Sequence, residues 1–488
     1  MKNSLFISGL LFLVYLGLVS FQARPDQYMV DFRTPSMTPL DGRSADLIDQ
    51  VNRFQLDGVS PDQNVVAGLY EVAKLSELRY HDSTHIGIKA REDALGIRIP
   101  MNPKTIISLG QKTAWLGEDI VLSNEDPILR RYLARHQRTL DQIATIVDRQ
   151  HYANYYYSDE PNFVAVHLPL AQANREYARI LNLRARVALG EDRISDAITD
   201  ASSIYRLGGH MASAGATVVE AMVGATLIKR FMKTWSEILS HPDLTVDDLE
   251  RISTLVKAVP PITSAKGLDI GDRLAAHQIA SYLEHYGSAG LKRIDPSARA
   301  DVQRSDPLLA FADWQEIHQR IDKKVNEALD VLSASDEQER RTKIREMFAR
   351  PENKFSFRKD FSLFNVPALV TDFTWKIIDD LWLHITPYNL KAMELARDQQ
   401  EVLRVCIELK RFHFEKQRYP ASLDELLGKY LDHIPLDYGT GEPIRYLRLK
   451  AGALVYTVGH NEVDDGGWPY GAGSFDERDT DDVVFLLG

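Results

Sequence analysis

Apolar residues recur every three to four positions along most of the chain, and this spacing is its dominant pattern. Such spacing is typical of amphipathic helices. The clearest stripe falls within residues 194–208 and consists of Ile194, Ala197, Ile198, Ala201, Ile204, Tyr205 and Gly208. The pattern predicts a helical region over residues 62–385, with helices near 216–240, 245–258, 267–286, 313–347 and 366–384.

Small residues on two neighbouring stripes predict a close helix pair. One helix is expected to end at Gly190, a residue type suited to the position just past a helix C-terminus. A short connection leads to the next stripe, so the two helices should form an antiparallel hairpin, similar to one tetratricopeptide unit. No second copy follows at a fixed spacing, which favours an irregular helical-hairpin array. The residues expected in the contact are Ala185, Ala188, Ala197 and Ala201.

The last hundred residues carry a different order of elements. A long helix over about 389–418 is followed by a short helix for which Ser422 and Glu425 predict a capping box. Alternating, β-branched-rich runs at 444–449 and 453–458 predict a hairpin, and 483–486 predicts a third strand. The chain is therefore expected to be mainly α, with a small C-terminal α+β domain over residues 386–488.

Composition places the chain among ordinary globular proteins. It has 488 residues, 44% hydrophobic and 26% charged, which is enough for two or three folded domains. The formal net charge of −11 argues against a general nucleic-acid binder, which normally has a basic surface. The single cysteine, Cys406, excludes an intramolecular disulfide, and its apolar helical surroundings predict a small core residue.

The N-terminus has the pattern of an export segment. Lys2 precedes an uninterrupted apolar run from Leu5 to Phe21, after which the sequence turns polar. Residues 1–24 are therefore predicted to be a signal peptide or a membrane anchor, with residues 25–61 as a linker. The protein is expected to be exported, either periplasmic or anchored in the inner membrane.

Common catalytic motifs for metalloproteases, serine hydrolases and nucleotide binding are absent from the sequence. The run from His81 to His85 has the residue types of a catalytic triad, but adjacent residues rarely converge on one substrate, so a polar loop is expected. The aromatic run from His151 to Tyr157 offers stacking surfaces for a ligand, although alternation between a core and its rim is the more common arrangement.

The acidic, glycine-rich C-terminus is the candidate metal site. Eight carboxylates lie between Glu462 and Asp482, against the single basic residue Arg478. Calcium prefers six to eight carboxylate and carbonyl oxygens, and glycine allows carbonyls to turn inward. A solvated acidic loop beside an edge strand is the alternative. The candidate ligands are Asp464, Asp465, Asp476, Asp479, Asp481 and Asp482.

The same stretch resembles the globular domain of the major pseudopilin of type II secretion systems. The similarity lies in the segments Arg418–Leu426, Pro435–Gly439 and Tyr456–Gly459 and in the pair Asp481-Asp482 before Val483. The resemblance implies a pilin-like α+β fold whose closing loop binds calcium. Over its whole length the chain resembles bacterial envelope proteins that join a helical region to this tail.

These features favour a non-enzymatic interaction or scaffolding role in the bacterial envelope, with an envelope protein as partner and calcium stabilising the tail. The membrane would be reached through residues 1–24 if these are not removed, and no nucleic-acid partner is expected. Two alternatives remain open. One is a hydrolase-type enzyme with a site between helices, and the other is an accessory component of a secretion or pilus system.

Overall fold

The computed structural model describes the greater part of the chain. The described residues are 29–30, 33, 40–41, 47–72, 85–97, 127–158, 163–259, 262, 265–287, 289, 309–349, 366–383, 386–458, 463–464, 466–467 and 483–488. Within them the protein is mainly helical, with a small antiparallel sheet near the C-terminus. The predicted export segment, residues 1–24, lies outside the described residues.

The helices follow the predicted periodicity closely. They are α1 (Leu47–Leu56), α2 (Val65–Val72), α3 (His85–Leu95), α4 (Pro127–Ile146), α5 (Pro169–Gly190), α6 (Ile194–Ala214), α7 (Val218–Arg230), α8 (Met232–Leu239), α9 (Val246–Lys257), α10 (Arg273–Tyr286), α11 (Trp314–Ser333), α12 (Glu337–Ala349), α13 (Val366–Leu381) and α14 (Thr386–Lys416). None of the helices in the described ranges combines the length and apolarity needed to cross a bilayer.

Two predicted helices are divided in the structure. The run at 216–240 breaks at Phe231, whose φ of −106° and ψ of 17° are not helical. The run at 313–347 breaks after α11, and Asp336 caps the start of α12 by accepting a hydrogen bond from the Glu339 amide (2.7 Å). Side-chain capping at a helix start satisfies an amide that lacks an intrahelical partner, so the cap makes the second helix a separate element.

Strands form a two-stranded pair near the N-terminus and a three-stranded sheet near the C-terminus. The pair consists of β1 (Met29–Val30) and β2 (Leu40–Asp41). The sheet consists of β3 (Arg445–Leu449), β4 (Gly452–Thr457) and β5 (Val483–Leu487), antiparallel and in that order. The three strands predicted in the tail are therefore confirmed.

The predicted helical hairpin is formed by α5 and α6, and its small residues are buried. Ala185, Ala188 and Ala197 are fully buried and Ala201 is 3% exposed, all within one apolar cluster. The expected role of Gly190 is wrong. Gly190 is the last helical residue of α5, and the left-handed conformation of the connection falls on Asp192, with φ 57°. Asp tolerates this conformation better than most residues that carry a side chain.

The long helix α14 joins the sheet to the helical region through a shared core. Buried residues of α14 pack in one cluster with the inner face of the sheet and with α5–α9. Cys406 lies in this cluster with no exposed surface, and burial holds the pKa of its thiol well above the ordinary value. The prediction that Cys406 is a core residue is confirmed.

Buried ion pairs fix the loop between α14 and the sheet. Arg341 of α12 donates to Asp398 of α14 (2.7 Å), and both side chains are 2% exposed. Asp437 accepts from the amides of Gly439 and Val458 and from Arg445. Burial raises the pKa of Asp398 well above the ordinary value, which the Arg341 guanidinium partly opposes. The loop therefore has a single, strongly specified position.

The predicted capping box after α14 is wrong. Ser422 precedes a short 3₁₀ helix, Leu423–Leu426, but its hydroxyl donates to Asp424 (3.0 Å) instead of accepting from the helix. Glu425 accepts from the Ala421 amide and pairs with Arg418 (2.7 Å). Glu425 therefore connects the end of α14 to this turn and does not complete a capping box.

A π-helical turn, Leu268–Asp272, precedes α10 and follows a single α-helical turn, Ala265–Gly267. We call residues 268–272 the π turn. A Cβ on Gly271 would lie 2.6 Å from the Ala216 carbonyl, and one on Gly267 would lie 2.7 Å from the Thr217 carbonyl. Glycine is therefore required at both positions for the turn to rest on the α6–α7 corner. π-helical turns often occur at functional sites.

Candidate functional site

Only one of the six predicted calcium ligands, Asp464, is among the described residues; Asp465, Asp476, Asp479, Asp481 and Asp482 lie outside them. The Asp464 carboxylate accepts from Arg445 Nε (2.7 Å), the Gly466 amide (2.9 Å) and the Tyr456 hydroxyl (3.3 Å). Burial acts to raise the pKa of Asp464, but these donors outweigh it and hold the pKa below the ordinary value.

Asp464 is therefore an ion-pair partner in the described structure, and both its oxygens are engaged by protein donors. As described, it does not fit the role of a free calcium ligand, so the calcium hypothesis depends on the remaining five aspartates. Among the residues that the structure describes, no three His, Cys, Asp or Glu side chains are grouped so as to hold a metal ion.

The two motifs of the N-terminal half have different outcomes. Residues 81–84 lie outside the described part, and His85 begins α3. The aromatic run at 151–157 is an extended segment whose alternate side chains, Tyr152, Asn154 and Tyr156, are 0–4% exposed. Ala153 is also buried, at 3%, and the Tyr152 and Tyr156 hydroxyls are buried with their rings, so the run enters the core without a strict alternation.

Tyr152, Asn154 and Tyr156 converge on one buried carboxylate, Glu220 in the first turn of α7. Glu220 Oε1 accepts from Asn154 Nδ2 (2.9 Å) and the Tyr152 hydroxyl (3.2 Å). Its Oε2 accepts from the Tyr156 hydroxyl (2.7 Å) and from Thr217 Oγ1 (3.0 Å). We call these five residues the Glu220 network.

The Glu220 network is closed to solvent. Glu220 is 1% exposed, and each of its oxygens has two donors. Burial and the neighbouring Glu220 charge raise the pKa of Tyr152 and Tyr156 well above the ordinary value, so both phenols stay protonated and donate. A carboxylate that is fully hydrogen-bonded and sealed by protein holds surrounding segments in place.

A second buried polar group lies on the other side of the π turn, between α10 and α11. His277 Nδ1 lies 2.7 Å from His318 Nδ1, and His277 Nε2 lies 3.0 Å from Asp322 Oδ1. Arg273 donates to Asp269 and to Asp322, both at 2.7 Å. With Asn326, which accepts from Arg273 (2.8 Å), these residues form what we call the histidine network.

The geometry assigns the protons of the histidine network. Two facing Nδ1 atoms at 2.7 Å share one proton, because two N–H groups cannot point at each other. If His277 Nε2–H donates to Asp322, His277 Nδ1 is bare and accepts from His318. Burial lowers the pKa of His277, and the Asp322 carboxylate partly opposes that shift. His277 is therefore held neutral.

Asp322 and Asn326 are the partly exposed members of the histidine network. His277, His318 and Arg273 have no exposed surface, whereas the Asp322 side chain is 21% exposed. Beside the network, Asp272 of the π turn is 2% exposed, and burial raises its pKa to about 7, with Trp382 opposing the shift. Perturbed pKa values of this kind mark candidate sites but also occur in structural networks.

Two shallow grooves of the described surface run along single helices. One, of about 510 Å³, is lined entirely by α4 residues, and the other, of about 430 Å³, entirely by α11 residues, including Asp322 and Asn326. An enzyme site normally lies in a cleft that several elements enclose and that buries most of a ligand. Neither groove has this form.

Sequence reasoning missed both networks, although each left a local trace. Thr217 and Glu220 have the spacing of an N-terminal cap, and Asp269, Arg273 and His277 follow one another at intervals of four on a predicted helix. Tertiary packing brings Glu220 to Tyr156, 64 residues away in the sequence, and His277 to His318, 41 residues away. A single sequence contains no local pattern for such pairs.

Comparison of the chain with protein-family models, with curated proteins and with solved structures finds no match.

Proposed function

We propose that the protein is a non-enzymatic interaction or scaffolding protein of the bacterial envelope and that the outer face of its C-terminal sheet binds a protein partner. The observation that carries this proposal is the exposure of apolar side chains there. Leu447 and Leu486 are 47% and 52% exposed, and both are in register with Leu454 on the central strand. Exposed apolar residues grouped on one face mark interaction sites.

Two further features support a contact at this face. β3 is an edge strand, and its Leu449 is also exposed, at 42%. An edge strand with free backbone groups can pair with an extended partner segment. The opposite face is sealed, since Val455 and Phe485 are fully buried against the helices. The sheet therefore has one face for the core and one for a partner.

The closed polar networks favour this role over a hydrolase. Glu220 is 1% exposed, and His277, His318 and Arg273 of the histidine network have no exposed surface. A general base must come within hydrogen-bond reach of its substrate, which buried His277 cannot do.

We also propose that the fold is an irregular array of helical hairpins joined to a pilin-like tail, supported by the packing of α14 on the sheet. An accessory role in a secretion or pilus system is one form of the proposed function.

Site-specific photo-crosslinking in cells tests the interaction function. A photoreactive residue at Leu447 or Leu486 is expected to give one discrete protein adduct in the envelope fraction. The matched control is Leu427, which is 43% exposed but lies outside the sheet. The adduct at Leu447 should disappear when Leu486→Arg is added. Identical adducts from Leu427, or full-length protein confined to the cytoplasm, would contradict the proposal.

Calcium binding by the tail remains part of the proposal and rests on the aspartates beyond Asp464. If these residues bind calcium, the full chain should melt at a higher temperature with millimolar calcium than with a chelator, and magnesium should do less. A native-state ligand at a hundredfold excess over its Kd adds about 2.7 kcal/mol. The variant Asp481→Asn/Asp482→Asn is expected to lose the shift. An equal calcium response in that variant would exclude Asp481 and Asp482 as ligands, and no response in the wild-type chain would reduce the tail to a solvated loop.

A further inference from the structure

The exposed face of α4 has three arginines in a row. Arg131, Arg135 and Arg138 are spaced by four and three residues, so they lie on one stripe of the helix, and all three are exposed. The stripe continues through Gln142 and Thr145, which are exposed and uncharged. Asp141 borders the stripe beside Arg138, and its carboxylate pairs with Arg184. We call the three arginine side chains the arginine stripe.

The arginine stripe has no acidic partner among the residues that the structure describes. The neighbouring Arg130 pairs with Glu191 (2.9 Å), and Arg184 pairs with Asp141 (2.6 Å), whereas the three stripe residues appear in no ion pair. Like charges at these spacings destabilise a helix. Repulsion among the three guanidinium groups therefore lowers the stability of α4, and no contact within the described residues offsets it.

The opposite face of α4 excludes insertion of this helix into a bilayer. Leu129, Leu133, Leu140 and Ile143 are 0–8% exposed and belong to an apolar cluster with α2 and α5. The helix has 20 residues and is therefore about 30 Å long, with its polar face outward. Such a face can attract an anionic surface through charge without burying apolar area.

We propose that the arginine stripe of α4 docks the protein on the anionic phospholipid headgroups of the envelope membrane. This inference rests on the proposed envelope location, and it specifies which face of the protein meets the membrane. The chain as a whole has a net charge of −11, which anionic lipid repels. The stripe is then the face that electrostatic attraction selects, and guanidinium groups pair well with phosphate oxygens.

A fluorescent label beside the stripe tests the inference on the full chain. Gln142→Cys provides the attachment point, and the native Cys406 is fully buried, so labelling is selective. The labelled protein is mixed with vesicles of phosphatidylcholine alone or with phosphatidylglycerol added. We expect a blue shift of emission only with the anionic vesicles, and its loss at molar salt, where the screening length falls to about 3 Å.

The triple variant Arg131→Gln/Arg135→Gln/Arg138→Gln is expected to lose the shift. The matched control, Lys257→Gln/Lys416→Gln/Lys450→Gln, removes the same charge from exposed positions elsewhere and should keep it. Equal emission with both vesicle types, or a shift that survives in the arginine variant, would overturn the inference. Sedimentation with the vesicles is measured separately. Sedimentation with neutral vesicles reports binding through the N-terminal segment, whereas the emission shift reports the arginine stripe. A failure of membrane anchoring and a failure of the stripe therefore give different results.

Discussion

The Glu220 network and the histidine network lie on either side of the π turn, and they differ in their access to solvent. Glu220 is 1% exposed and every hydrogen-bonding position of its carboxylate is filled by a neutral donor. The histidine network contains charged and titratable groups, and Asp322 connects them to the surface. The first network is therefore suited to stabilise the fold, whereas the second can also exchange protons with solvent.

The difference follows from where each carboxylate sits on its helix. Glu220 lies in the first turn of α7, where helix amides and the helix dipole favour a negative charge. Asp322 lies in the middle of α11, where its charge is balanced by Arg273. The Glu220 charge is therefore stabilised by the N-terminus of its own helix. The Asp322 charge is stabilised by its ion pair with Arg273, which solvent can weaken because Asp322 is partly exposed.

Removal of Glu220 should have the largest effect. Glu220→Ala leaves two phenols, one amide and one hydroxyl buried without their acceptor, and breaking such a network costs about 3–5 kcal/mol. Glu220→Gln keeps the shape and should cost less, because a side-chain amide still accepts at one atom. Chemical denaturation of the full chain measures both. The adjacent Val219→Ala, at a 47% exposed position, should change stability by less than about 0.5 kcal/mol. A cost for Glu220→Ala no larger than that of Val219→Ala would show that the network is not structural.

The histidine network should make the protein sensitive to acid. The pKa of His277 is lowered in the folded state, so below about 6.5, its ordinary unfolded value, the unfolded chain binds more protons than the folded chain. Stability is then lost as the pH falls, with a slope of at most about 1.4 kcal/mol per pH unit for this one group. His277→Gln should flatten the profile, and His433→Gln, at an exposed position, should not. Parallel profiles for wild type and His277→Gln between pH 5 and 7 would contradict this account.

Most elements of the fold could be predicted because their periodicity is local. The strands at 445–449 and 452–457 and the helix at 246–257 match the predicted runs within about two residues. The errors fall where two local rules compete. Gly190 has the residue type of a C-terminal helix cap, but the left-handed conformation after α5 falls on Asp192. Ser422 has the residue type of an N-terminal cap, but the side chain that bonds a backbone amide at the 3₁₀ turn is that of Glu425.

The candidate sites could be predicted only in part, because their members come from distant segments. The aromatic run was visible in the sequence, but not the carboxylate on which Tyr152, Asn154 and Tyr156 converge. The π turn is a further reason. It adds a residue to one helical turn, so the side chains after it face a different direction from the one that a 3.6-residue period gives.

Substitution of Asp322 should have the smallest effect at neutral pH and the most informative one in acid. Asp322→Asn leaves Arg273 paired with Asp269, and Asp322 is partly solvated, so the expected cost near pH 7.5 is about 1 kcal/mol. The loss of its charge removes the group that raises the pKa of His277 in the folded state. The gap between the folded and unfolded values therefore widens, and the acid loss of stability should continue to lower pH than in the wild type. Asp330→Asn, an exposed position on the same face of α11, is the control. If Asp322→Asn instead narrows the pH range over which stability is lost, the Asp322 carboxylate does not raise the pKa of His277. The histidine network would then lack the titratable link to solvent that distinguishes it from the Glu220 network.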